Sequence, residues 1–161
     1  MTTTPAIDPM SSLHEEHQAL ANLIELMKVE QAYLIAADIN GLQSITEQKS
    51  KIVAQVSELA QQRHRALAMA GFAPEEQNMQ AWLASINQDK VSAAWQDLLS
   101  ITKAAKELNR VNGILVSKQL SYNQKALDTL QAPIHAETGG NFYGPNGQST
   151  AYSTTRRVVV G

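Results

Sequence analysis

Leu13, Leu20, Met27 and Leu34 recur every seven residues. Seven residues are two turns of α-helix, so these four side chains line one side of a single long helix. Leu23, Ile24 and Ile35 widen the stripe. A helix with such a seam is stable only when other helices cover it, which commits the chain to a helical bundle. Ser12 followed three residues later by Glu15 has the form of a capping box and predicts the helix start.

The same logic continues downstream. Asp38-Ile39-Asn40-Gly41 predicts a break, since Asn-Gly favours positive φ. Leu42, Ile45, Lys49, Ile52, Val56, Leu59 and Arg63 then follow alternating steps of three and four. Lys49 and Arg63 interrupt that face. Their aliphatic stems are expected to cover the seam while their charges reach water. Gly71 and Pro74 predict a stop, with Gly71 as the left-handed cap. A short helix carries Met79, Trp82, Leu83 and Ile86 on one side, and Asn87 to Lys90 forms a turn.

A fourth helix is predicted from about Val91 to Leu130, ended by Pro133. It has two stripes. One holds Val91, Trp95, Leu98, Thr102, Ala105, Asn109, Asn112, Val116, Leu120 and Leu127. The other holds Ile101, Leu108, Leu115 and Tyr122. Two stripes mean two buried faces, or one buried face and one kept for a partner. Beyond Pro133 the apolar period stops and glycine becomes frequent, so 131–161 is expected to be a flexible arm with Phe142, Tyr143 and Pro145 as anchors. The expected organisation is a loose start at 1–11, a helical bundle domain at 12–130 and the tail at 131–161. The fold class is all-α: long antiparallel helices, one short helix and a flexible C-terminal tail. The expected core comprises Leu20, Leu23, Met27, Leu34, Leu42, Ile45, Ile52, Val56, Leu59, Trp95 and Leu98.

Composition narrows the function. With only 5% aromatic residues, aliphatic side chains must build the core. A net charge of −2 argues against nucleic acid, whose phosphates need a basic face. No apolar run is long enough to span a membrane, and Met1 to Met10 lacks the pattern of a secretory signal. The absence of cysteine removes thiolate metal sites and a cysteine nucleophile, and fits a reducing cytosol.

No chemistry-bearing motif is complete. His14-Glu15-Glu16-His17 places two histidines three apart, whereas a zinc-protease helix spaces them four apart and needs a third ligand. The glycine-rich stretch 139–147 has no preceding strand, no following helix and no lysine for a phosphate. No enzyme, cofactor or metal is therefore expected. Asn109-Arg110-Val111-Asn112-Gly113 sits mid-helix and reads either as an amide hydrogen bond at a helix crossing or as a contact point for a client chain.

These pieces resemble the FlgN-type flagellar export chaperones. The resemblance rests on Leu20, Leu23, Glu30 and Leu34, on Lys49, on Arg63, Leu67 and Gly71, and on Trp82-Leu83 and Trp95. It continues through Asn109 to Val116 and ends on Tyr143-Gly144-Pro145-Asn146-Gly147-Gln148 with Arg156. It implies a cytoplasmic chaperone that binds the helical C-terminal ends of hook-associated junction proteins, prevents premature assembly and delivers them to components of the flagellar export apparatus. The residues expected to hold a client are Leu108, Asn109, Asn112, Leu115, Tyr122, Phe142, Tyr143 and Pro145. The long helices leave room for a homodimer or for helix exchange between chains. A structural coiled-coil adaptor without a secretion role is the alternative.

Overall fold

The computed structural model describes the backbone of residues 8–137 and side chains as far as residue 132. Four α-helices occur among them: α1 (Leu13–Ala36), α2 (Ile39–Met69), α3 (Met79–Ile86, preceded by a 3-10 turn at Glu76–Asn78) and α4 (Asp89–Glu137). No strand occurs among the described residues. Residues up to Ser117 form one compact unit and those from Lys118 a second.

In the first unit α1, α2 and α4 run up, down and up. Contacts between Glu30 and Lys49 and between Glu16 and Arg63 make α1 and α2 antiparallel. Lys49 to Asn109 and Arg63 over Trp95 do the same for α2 and α4. The core is built from Leu13, Leu20, Leu23 and Met27 of α1, Leu67 of α2, Met79, Trp82 and Leu83 of α3, and Val91, Trp95, Leu98 and Ala105 of α4. The expected seam residues Leu34, Ile45 and Leu59 are buried too, whereas Leu42, Ile52 and Val56 are half-buried. Ile35 leaves the stripe and is 72% exposed in the last turn of α1.

The helix ends have local causes. Ala37 adopts φ 54°, and the N–H groups of Ala37 and Asp38 donate back to Leu34 O and Tyr33 O. This is a Schellman closure with alanine where glycine is usual. Asp38 then caps α2, its Oδ1 accepting from Gly41 N–H at 3.0 Å. The break therefore sits at Ala37–Asp38, and Asn40-Gly41 belongs to the first turn of α2. Glycine is needed there for space: a Cβ on Gly41 would lie 2.8 Å from Asp38 Oδ2 and 2.9 Å from the Tyr33 ring. At the other end Gly71 takes φ 88°, with Gly71 N–H donating to Ala68 O and Phe72 N–H to Leu67 O. Phe72 packs on the core, completing the hydrophobic contact of that cap.

Two local expectations need correction. Ser12 makes no side-chain cap, because its backbone is already helical (φ −93°, ψ −16°) rather than extended as a capping residue's is. The turn before it is organised by Asp8 instead, whose carboxylate and carbonyl accept from Met10 N–H, Ser11 N–H and Ser11 Oγ–H. Residues 8–12 form a hydrogen-bonded turn, with Met10 packed on the core. Finally, α4 continues through Pro133 to Glu137. Proline forfeits one backbone hydrogen bond, and near a helix end that loss does not force a stop.

Candidate partner-binding surface

Two layers of polar side chains cross the first unit and fix how α4 lies on the hairpin. In the first, Arg63 is only 3% exposed. Its Nε donates to both oxygens of Glu16 at 3.1 and 3.2 Å. Its Nη1 and Nη2 form a fork on Glu76 at 3.1 and 3.3 Å. Its guanidinium lies 4.8 Å from the centroid of the Trp95 ring, a cation–π stack in a dry setting. His64 Nε2 meets Glu76 at 2.9 Å. Burial pushes the Glu16 carboxyl above the ordinary carboxylate range, against the downward pull of Arg63. Burial also pushes Glu76 up, but hydrogen bonds from His64 and Arg63 and the guanidinium charge outweigh it and hold Glu76 below that range.

In the second layer Lys49 Nζ donates to both Glu30 oxygens at 3.1 and 3.2 Å and to Asn109 Oδ1 at 2.8 Å. Asn112 Nδ2 donates to Glu30 Oε2 at 2.7 Å and to the carbonyl of Met27 at 2.8 Å. The expectation that Lys49 and Arg63 send their charges to water is therefore overturned. Both are satisfied inside the bundle by acids of α1. A signal was present: Glu16 and Glu30 occupy the same three-four stripe as Leu13, Leu20, Leu23, Met27 and Leu34. An acid on an apolar seam calls for a base on the facing one.

The surface around these layers offers an apolar cleft of about 280 Å³ in the first unit, lined by Leu20, Leu23, Met27, Val53, Val56 and Ala105, with Lys49 and Lys106 among its walls. Of the residues expected to hold a client, Leu108 is half-buried and packs against the core, and Leu115 is half-buried. Asn109 is exposed but accepts from Lys49, and Asn112 is 2% exposed and used within the bundle. Phe142, Tyr143 and Pro145 lie outside the described residues. In the second unit Tyr122 is 74% exposed. Three leucines are also open there: Leu120 and Leu127, which share a stripe with Trp95 and Leu98, and Leu130 are 66%, 53% and 69% exposed. Leu120 and Leu127 stand two turns apart on one side of α4, with Leu130 one turn beyond. Among the described residues no group of three or more histidine, aspartate or glutamate side chains is arranged to hold a metal ion, and no helix is long and apolar enough to cross a membrane.

The family profile described as FlgN protein matches residues 6–151. The chain belongs to the FlgN family. Among curated relatives it is similar to the flagella synthesis protein FlgN of Salmonella typhimurium strain LT2, with 36% identity over 133 residues covering 81% of this chain and 82% of the relative. The Escherichia coli K12 protein of the same name is 34% identical over 153 residues, covering 94% and 90% of the two chains. That of Yersinia enterocolitica is 27% identical over 151 residues, covering 92% and 94%. No solved structure matches significantly. The FlgN match spans both polar layers and the exposed leucines of α4.

Proposed function

We propose that this FlgN-family chain is a cytoplasmic, non-catalytic chaperone of flagellar type III export. Its clients are hook–filament junction proteins, held by their helical C-terminal ends and passed to the export apparatus. The observation that carries the reading is the pairing of FlgN membership with an apolar helix face left open to solvent. An amphipathic client end, disordered when free, folds as a helix when its apolar side meets such a face. The face centres on Leu120, Leu127 and Leu130 of α4, and Tyr122 is exposed on the other stripe of the same helix. Phe142, Tyr143 and Pro145 add further contacts to the client. Leu108, Asn109 and Asn112 serve the client indirectly, by holding α4 in place.

The test is gel filtration of the purified chain with a hook-associated junction protein, and with the same protein lacking its C-terminal helix. A discrete complex with the first and none with the second is the expected result. No complex with either favours the structural adaptor, and equal binding of both moves the contact away from the client's end.

A further inference from the structure

The charged layers fix one antiparallel register between α1 and α2, since Glu16 meets Arg63 and Glu30 meets Lys49. From one pair to the other is fourteen residues forward along α1 and fourteen back along α2. Extending that register sets Leu13 level with Ala66, Leu20 with Leu59 and Leu34 with Ile45, and all six are buried. Such a hairpin is complementary to a second copy of itself. If residues 13–69 ran as one straight helix, two copies would pair antiparallel about a two-fold axis at the former turn. Each pair would form again, now between chains. Because α3 and α4 follow α2 in either arrangement, each half of the dimer rebuilds one bundle from α1 of one copy and the remaining helices of its partner.

We propose that the chain exchanges α1 with a second copy by straightening at Ala37–Asp38, giving a two-fold dimer in slow equilibrium with the closed monomer. The turn itself motivates this. Ala37 is held at φ 54°, a conformation that L-residues disfavour, and Ala36-Ala37 are the strongest of helix formers. Straightening releases that strain. The connection between α1 and α2 is only Ala37–Asp38, and short strained hinges invite exchange. Ile35 and Ile39 are 72% and 77% exposed in the closed form. In a straight helix they stand four apart on one face, and the register sets Ile39 level with Asn40 of the other copy, next to the axis. Two features oppose the exchange and keep the monomer populated: the Asp38 cap on Gly41 N–H, which straightening breaks, and Gly41 itself, a poor residue for a helix interior.

The chain has no cysteine, so introduced thiols report cleanly. Full-length copies carrying Glu30→Cys are mixed with copies carrying Lys49→Cys, concentrated, and treated with a short bismaleimide. Exchange predicts a covalent dimer in the mixture. Glu30→Cys copies treated alone give none, because their thiols would lie nineteen positions apart along the paired helices, roughly 28 Å. In parallel, light scattering of the unmodified chain is expected to show a dimer fraction that grows with concentration and decays slowly on dilution. Ala37→Gly should lower that fraction and the double variant Asp38→Ala, Gly41→Ala should raise it several-fold. A monomeric mass at every concentration, equal cross-linking in both samples, or a dimer fraction that ignores both turn variants overturns the proposal.

Discussion

Glu16 on α1 and Arg63 on α2 form an ion pair at 3.1 Å in which both side chains are 3% exposed. Two charges so buried survive because every partner is in place. The guanidinium also forks onto Glu76 and stacks on Trp95. The pair therefore ties α1, α2, the turn before α3 and α4 into one arrangement. Its main effect is to specify that arrangement, since well-packed apolar side chains can match or exceed the stability of a buried ion pair.

Removing one partner is expected to cost far more than removing both. Arg63→Leu leaves Glu16 buried without its partner, and should destabilise the fold by about 3–5 kcal/mol. The double variant Glu16→Leu, Arg63→Leu should recover most of that loss. Urea unfolding of the parent, the two single variants and the double variant closes the cycle. Additive effects of the two singles would show that the residues do not act as a pair.

Titration separates the two glutamates. The folded-state value for Glu16 is raised above its ordinary 4.5. Its contribution to stability is therefore fully present below 4.5 and is lost as pH rises through the raised value. Glu76 is lowered from 4.5, so its contribution is present above 4.5 and is lost as pH falls through the lowered value. Comparing parent with Glu16→Gln by urea unfolding, the difference should move in the parent's favour as pH drops from neutral toward 4.5. With Glu76→Gln it should move against the parent as pH drops below 4.5.

The α1–α2 turn offers a test of opposite substitutions. Ala37→Gly removes a left-handed penalty of about 1 kcal/mol and should stabilise by somewhat less, given the added freedom of the unfolded chain. Gly41→Ala should destabilise, although alanine is the better helix former. Its Cβ collides with Asp38 Oδ2 and the Tyr33 ring, and displacing the cap forfeits about 1 kcal/mol. Thermal melting at low protein concentration reads both in the monomer.

On α4, charge placed on the open face should separate folding from binding. Leu120→Asp and Leu127→Asp alter exposed positions and are expected to leave stability within about 0.5 kcal/mol of the parent. Each should weaken a client C-terminal peptide by about tenfold or more in calorimetric titration. Leu115→Asp, half-buried, should lower the melting temperature as well. Unchanged peptide affinity in the first two variants would remove this face from the client site.

Local order along the chain was open to a reading of residues alone. The seam of α1, the left-handed cap at Gly71, the apolar side of α3 and the long α4 all follow from periodicity and from backbone preferences, which act over a turn or two. Glu16 and Glu30 were visible as acids on an apolar stripe, and Lys49 and Arg63 as bases on another. Which acid meets which base is a matter of register between helices, and no window along one helix contains it. The same limit explains α4. Trp95, Leu98, Leu120 and Leu127 belong to one stripe with one chemistry, yet the first two are buried and the last two open. Helical spacing sets which residues share a side. Only tertiary packing decides where along that side another helix lies, because burial needs a second surface that the local sequence does not encode.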